Sequence, residues 1–319
     1  MAIGICLPVL ACGLLGEPLG SPDPIGADQP RDDGAYQIEI PSEGSLQNPA
    51  WAPDGQALLV TRFQNGYNRE PADLLIVDLH SGEVRTLVSD GSGNVNLPGA
   101  SWNGPTGQIA FSSTRDPHDE IYVIDAKSWP GEEVRITHRR DRMAYEPSLS
   151  PAGAWVVFES HELDIEGNGI ITTYRLDGTA PYQMLTDPNG DCRQPNWSPA
   201  GDLIVYQSLA AGQWDIWVMS AEGMEHRQLT EGSGDKTDAS FSPDGVWIIY
   251  SYQDPDEEGA NLYIVPSSGG DPARVTEFDG YDGAASWSPD GNQIVFESCS
   301  GDPDGSAGTT IWMIDVPDR

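Results

Sequence analysis

Thr237-Asp238-Ala239-Ser240-Phe241-Ser242-Pro243-Asp244-Gly245-Val246-Trp247-Ile248-Ile249-Tyr250-Ser251 reads as a short strand, a tight turn and an apolar strand, and the 319-residue chain writes it six times. The other copies are NPAWAPDGQALLVTR from Asn48, PGASWNGPTGQIAFSS from Pro98, YEPSLSPAGAWVVFES from Tyr145, RQPNWSPAGDLIVYQS from Arg193 and GAASWSPDGNQIVFES from Gly283. Pro presets φ for the first central turn position, and Gly takes the positive φ that other residues avoid.

The period decides the architecture. Trp51, Trp102, Leu149, Trp197, Phe241 and Trp287 are spaced 51, 47, 48, 44 and 46 residues apart. Such a spacing suits a propeller blade of four strands, about 40–50 residues long, and is too long for ankyrin or tetratricopeptide units. A β-rich run follows each copy: LLIVD at Leu74, IYVID at Ile121, IITTYRLD at Ile170, DIWVMS at Asp215, NLYIVP at Asn261 and TIWMID at Thr310. A further strand signal closes most units: VRTLV at Val84, VRIT at Val134, YQMLT at Tyr182, RQLT at Arg227 and ARVT at Ala273. Alternating apolar and polar residues between Gly, Asp and Pro mark half-buried antiparallel strands. The expected fold is therefore all-β: a six-bladed β-propeller of four-stranded antiparallel blades. The sixth unit lacks a closing strand, and Tyr36-Gln37-Ile38-Glu39-Ile40 has no blade of its own. The strand at 36–40 is expected to complete the last blade, which removes the exposed sheet edges.

The Ser-Pro-Asp-Gly turn, the large apolar residue before it and the later Ile-Tyr or Ile-Trp strand resemble the WD-like repeats of the TolB-type propeller superfamily. The resemblance runs from about Ala35 to Arg319. Blade 2 departs from it with the longer turn Asn103-Gly104-Pro105-Thr106-Gly107, and blades 3 and 4 carry Pro-Ala-Gly in place of Pro-Asp-Gly. The family's namesake carries an extra domain ahead of its propeller, which the residues before Ala35 do not accommodate. That departure argues against a place in the Tol envelope system. The resemblance implies partner-peptide binding at the propeller axis.

Three regions follow: a signal- or lipobox-like segment at 1–12, a flexible linker at 13–34 and one propeller domain at 35–319. MAIGICLPVLACGLLG is apolar but too short to span a membrane, which takes about 20 residues. Val9-Leu10-Ala11-Cys12 resembles a lipobox, which would make Cys12 the lipidated first residue. An ordinary or truncated secretory signal and an unprocessed segment are the alternatives. Glu17 to Gly34 is rich in Pro, Gly and Asp and reads as a tether. An exported protein, periplasmic or at the cell surface, is expected, with membrane contact only through such an anchor.

Sixteen Lys+Arg stand against 50 Asp+Glu, a formal charge of −34. This surface repels nucleic acid and anionic headgroups, so a nucleic-acid partner is excluded, while cationic partners, divalent cations or high-salt surroundings suit it. The recurring tryptophans, Trp51, Trp102, Trp197, Trp217, Trp287 and Trp312, read as packing between blades. Cys192 and Cys299 fall two blades apart and are expected to be free thiols.

Two kinds of site suggest themselves. Asn48, Gly99, Glu146, Gln194, Asp238 and Ala284 stand three residues before the landmarks. The polar ones, Asn48, Glu146, Gln194 and Asp238, form with Asp282 a candidate ring of acceptors at the channel mouth for a peptide or a cation. The alternative is that they hydrate a water-filled tunnel or cap strand ends. Asp164, Glu166 and Asn168 in one loop, and Asp254, Asp256 and Glu258 in another, resemble the opening of a calcium loop. The twelfth positions are Arg175 and Val265, where a bidentate Glu would sit, so a plain solvated turn is the alternative. No cofactor beyond calcium is suggested.

Enzyme signals are thin. The chain has no G-x-S-x-G elbow, and His80, His118, His138, His161 and His226 lack paired metal-ligand spacing. The reading favoured by the sequence is a monomeric, non-catalytic scaffold that binds a protein or peptide at the channel mouth. A cation-dependent propeller enzyme, such as a polysaccharide lyase or lactone-type hydrolase, is the second.

Overall fold

A computed structural model describes residues 30–89, 95–96, 102–126, 131–163, 165, 167–303 and 308–317. Their strands form six four-stranded antiparallel sheets. In chain order, β1 (Tyr36–Gln37) is followed by blade 1, made of β2 (Ser45–Trp51), β3 (Ala57–Phe63), β4 (Ala72–Asp78) and β5 (Val84–Ser89). Blade 2 comprises β6 (Val95–Asn96), β7 (Gln108–Ser113), β8 (Glu120–Asp125) and β9 (Val134–Arg135). Blade 3 comprises β10 (Arg142–Leu149), β11 (Trp155–Glu162), β12 (Ile170–Arg175) and β13 (Gln183–Met184). Blade 4 holds β14 (Cys192–Trp197), β15 (Leu203–Ser208), β16 (Asp215–Ser220) and β17 (Arg227–Gln228). Blade 5 holds β18 (Asp235–Phe241), β19 (Trp247–Gln253), β20 (Asn261–Pro266) and β21 (Ala273–Arg274). Blade 6 supplies β22 (Tyr281–Trp287), β23 (Gln293–Cys299) and β24 (Thr310–Asp315), and β1 completes it.

The turns form as their chemistry dictates. Gly55, Gly107, Gly153, Gly201, Gly245 and Gly291 all have φ between 66° and 76°. In blade 5 Ser242 Oγ donates to Asp244 Oδ1 (2.6 Å) and accepts from the Trp247 amide (2.9 Å), and Asp244 Oδ1 takes the Val246 amide (3.0 Å). Blade 6 repeats this with Ser288, Asp290 and Gln293. In the longer blade 2 turn Asn103 takes over, accepting from the Thr106 amide at 3.0 Å. The variants are tolerated because a polar side chain always stands where the turn's amides point.

Burial of apolar surface is the main favourable term, and here it lies between blades rather than within them. Each of six apolar clusters joins two consecutive blades. Leu59, Leu74 and Ile76 meet Ile109, Phe111 and Ile124 across blades 1 and 2, for example. The six tryptophans named above all pack in such seams, as expected. Cys192 and Cys299 are free thiols.

A threonine clasp recurs at the outer edge. Thr137, Thr186, Thr230 and Thr276, each just past a blade's fourth strand, accept the third strand's amide of Ile121, Ile171, Ile216 and Leu262 at 2.8–3.0 Å. Thr276 is fully buried. Thr276→Val keeps the shape but strands the Leu262 amide, so about 1–3 kcal/mol of stability should be lost, read from the urea midpoint. An unchanged midpoint would show the clasp to be ornamental.

Closure follows expectation in kind and is shorter in extent. Tyr36 pairs with Met313 and Gln37 with Trp312, and the Ile38 amide reaches Ile311 O at 2.8 Å. Glu39 and Ile40 leave the ladder because the chain must turn at Gly44 (φ 101°) into blade 1. There the Leu46 amide takes Thr309 O at 2.9 Å. Ordered contacts also begin before the expected boundary at Ala35, inside the stretch assigned to the linker. Arg31 inserts between aromatic rings of blade 6 and its neighbour, 4.3 Å from the Phe278 centroid and 4.9 Å from that of Trp312. The segment 1–12, with Cys12, lies outside the described residues, as do 13–29 of the linker.

Candidate functional site at the propeller axis

The innermost strands share one irregularity. Asn48, Glu146, Gln194, Asp238 and Ala284 all have left-handed φ, between 46° and 56°. Each sits where the ladder to the second strand skips, between Gln47 and Ala50, Tyr145 and Ser148, Arg193 and Asn196, Thr237 and Ser240, or Gly283 and Ser286. Such bulges re-aim side chains and free a backbone amide from the ladder. The corresponding Gly99 lies outside the described residues.

The freed amides bind acceptors from the preceding blade. Glu297 Oε2 of blade 6 accepts the Asn48 amide of blade 1 at 2.9 Å. Glu159 Oε2 of blade 3 accepts the Gln194 amide of blade 4 at 2.9 Å, and Gln207 Oε1 of blade 4 accepts the Asp238 amide of blade 5 at 3.3 Å. Gln194 also holds Asp238 twice, donating Nε2 to Oδ1 (2.6 Å) and accepting the Asp238 amide through Oε1 (3.0 Å). Four of the residues expected at the mouth, Asn48, Glu146, Gln194 and Asp238, are thus brought together. Glu159, Gln207 and Glu297, from the second strands, complete the ring.

Asp282 does not join them. The bulge that begins after Gly283 breaks the alternation of the strand and turns Asp282 away from the axis. Its carboxylate is fully buried and takes both terminal nitrogens of Arg31, at 3.0 and 2.9 Å. Of the loop residues expected to bind calcium, the described ones do not converge on a common point. Asp254 Oδ1 accepts the Asp256 amide (2.9 Å) and Oδ2 the Tyr252 hydroxyl (3.2 Å), which makes an ordinary turn, while Asp256 and Glu258 are exposed. Asn168 caps the Glu162 amide at 3.3 Å, and Asp164 and Glu166 lie outside the described residues. Among the described residues, no three His, Cys, Asp or Glu side chains are grouped to hold a metal ion.

Aromatic side chains gather over the acids. Tyr67, on the loop between β3 and β4, reaches across to Tyr281 of blade 6, with ring centroids 6.2 Å apart and edge to face. Both hydroxyls donate to Glu297 Oε1, at 3.3 and 3.1 Å. Tyr145 meets His161 edge to face at 5.6 Å, and His161 Nε2 lies 3.0 Å from Glu159 Oε1.

The electrostatics follow from packing carboxylates where water is scarce. Burial pushes Glu146 well above the usual carboxylate range, and the charges of Glu159 and Asp238 push it further. Burial also raises Asp238 and lifts Glu297 to about 7. Asp119, near Tyr145, rises to about 6 for the same reason. These four carboxyls are all shifted toward the protonated form relative to exposed ones.

The opposite end of the axis carries the landmark residues, interleaved with serines such as Ser148, Ser198, Ser240 and Ser286. Trp51, Trp102, Leu149, Trp197, Phe241 and Trp287, with the turn prolines, line a cavity of about 490 Å³ to which all six blades contribute.

Comparison with known proteins agrees with the propeller fold. The family model described as TolB beta propeller domain matches residues 32–208 and 171–307. The Tol-Pal system protein TolB of Francisella tularensis is 30% identical over 204 residues, which is 60% of this chain and 44% of that protein. The chain spans about half the length of the curated relatives it matches, or less. Among solved structures, TolB from Acinetobacter baumannii has a TM-score of 0.60 at 21% identity, covering 88% of this chain and 65% of that one. An oligogalacturonate lyase from Vibrio parahaemolyticus has a TM-score of 0.55 at 13% identity, covering 92% and 96%. At such identities the likeness is one of fold.

Proposed function

The chain belongs to the TolB beta propeller domain family, and from that premise we propose that it is an exported, non-catalytic scaffold that binds a protein or peptide at the axial mouth. In this reading Cys12 carries the lipid that tethers the propeller in the periplasm or at the cell surface. The observation that carries the binding function is the convergence of Asn48, Glu146, Gln194 and Asp238, with Glu159 and Glu297, at one end of the axis beside Tyr67 and Tyr281. The relatives named for the Tol-Pal system support a protein partner. The cation-dependent enzyme reading asks for convergent ligands, and the described residues offer no group of three. Propellers host many activities, so the lyase's likeness in fold does not decide the matter.

Peptides selected from a random display library on the full chain provide the test. Gln194→Trp would fill the mouth; it gives up the two bonds to Asp238 but lies outside the apolar seams between blades. It should weaken the selected peptides about tenfold or more, as loss of a central contact does. Peptides that bind the Trp variant as tightly as the native chain would place recognition elsewhere and sink the proposal.

A further inference from the structure

We infer that the group this mouth takes from its partner is an organic cation, the guanidinium or ammonium of an Arg- or Lys-containing peptide segment; the inference rests on the peptide-binding reading above. It begins with how the chain treats its other buried acids. Asp282 is held by Arg31 (2.9 Å), Asp73 by Arg62 (3.1 Å), Glu120 by Arg135 (2.6 Å), Asp191 by Arg193 (2.8 Å) and Asp215 by Lys236 (3.2 Å). In a chain with so few cations, each of these acids still receives one. Glu146, Asp238 and Glu297 receive none among the described residues, and neither does Asp119 beside Tyr145. Arg193 lends its field to Glu146, but its guanidinium is committed to Asp191 through two bonds, at 3.0 and 2.8 Å. His161 faces Glu159 alone.

A second observation points to a missing group. Ser251 pairs with Thr237 in the register that places Glu159, Gln207 and Glu297 opposite Tyr145, Arg193 and Gly283, so it is the blade 5 member of the ring. It is only 3% exposed, and its hydroxyl has no hydrogen-bond partner. Glu146 Oε2 is likewise buried without one. Where blades 3, 4 and 6 reach across with Glu159, Gln207 and Glu297, blade 5 has a short Ser facing the bare Ala284. The unpartnered Ser251 hydroxyl marks a gap between Asp238 and the Glu297–Tyr281–Tyr67 cluster.

The chemistry selects the occupant. Acceptors are spread around the axis rather than gathered on one point, which suits the several divergent N–H donors of a guanidinium or ammonium. Tyr67, Tyr281 and Tyr145 place aromatic rings beside these acids, a setting that favours an organic cation over a hydrated one. Burial raises Glu146 and Asp238, and a bound cation would pull both back down, so whatever proton they hold at the working pH is released on binding.

The test is calorimetric titration of the full chain with acetyl-Gly-Arg-Gly-amide, its neutral citrulline analogue and agmatine, at about 150 mM salt to screen diffuse attraction. The arginine peptide should bind saturably at one site, with the citrulline analogue weaker by about tenfold or more. Glu146→Gln with Asp238→Asn should weaken the arginine peptide by about the same factor, while Glu222→Gln with Glu231→Gln on the exposed rim should not. Equal affinity for citrulline, equal loss in the rim variant, or no saturable binding would each overturn the inference. Agmatine binding as tightly as the peptide would overturn the peptide as its source. Displayed peptides that need the mouth but carry no Lys or Arg would leave the scaffold reading intact and sink this one alone.

Discussion

Arg31→Ala should lower the unfolding free energy by about 3–5 kcal/mol, the loss expected when one partner of a buried ion pair is removed. Arg31 bonds Asp282 through both terminal nitrogens, reaches Ser298 Oγ (3.3 Å) and is braced by Asp33 (2.9 Å). Its planar group also lies against Phe278, Phe296 and Trp312. Alanine would leave the Asp282 carboxylate in the interior with neither charge nor stack to compensate it. Arg31→Lys should recover only part of the loss, because an ammonium can neither fork nor stack. The double variant Arg31→Ala with Asp282→Ala should be more stable than Arg31→Ala alone, since it removes the stranded charge. Urea unfolding of the set measures this. A single-variant loss below about 1 kcal/mol, or a double variant no better than the single, would show the pair to be peripheral.

The second large effect depends on pH. Burial raises Glu297 from an ordinary 4.5 to about 7, so the native state holds this proton more tightly than the unfolded chain does. The stability it contributes is complete below about pH 4.5 and is lost as pH rises toward 7. A shift of this size corresponds to a loss of up to about 3 kcal/mol between pH 5 and 8. The −34 charge makes the whole molecule less stable in the same direction, so the informative quantity is a difference. Glu297→Gln, which can still accept the Asn48 amide, should lose that much less than the native chain over the same range. Parallel stability curves for the two would refute the assignment.

Much of the architecture was legible because it repeats. Six Ser-Pro-Asp-Gly-like turns gave blade number and phase, and the orphan pattern at Tyr36 gave the closing strand. The candidate site was half legible. Asn48, Glu146, Gln194 and Asp238 stand at a fixed offset from the landmarks, and the shared bulge brings them to the axis. Asp282 failed for the same reason, since strand alternation does not survive a bulge. Glu159, Gln207 and Glu297 were visible as the Glu-Ser and Gln-Ser pairs after Phe158, Tyr206 and Phe296. Reading those stretches simply as apolar strands hid the polar residue that faces the channel. Tyr67 gave no signal, because it reaches the axis on an irregular loop whose path depends on tertiary contacts. Arg31 was hidden by composition: a Pro-, Gly- and Asp-rich stretch reads as tether even when one of its side chains is buried.

The pairing of β1 with β24 makes the sixth blade a joint product of the two ends of the domain. A ribosome delivers β1 first and β24 last. Blades 1 to 5 can zip up in order as they emerge, while β1 waits without a sheet to join. Until Thr310–Asp315 arrives, the particle is an open crescent that exposes the apolar flanks later sealed by Trp51 and Trp287. The ring becomes a ring in its final step, so a chain stalled or clipped a few dozen residues early loses the closure of the whole circle, not one sixth of the fold.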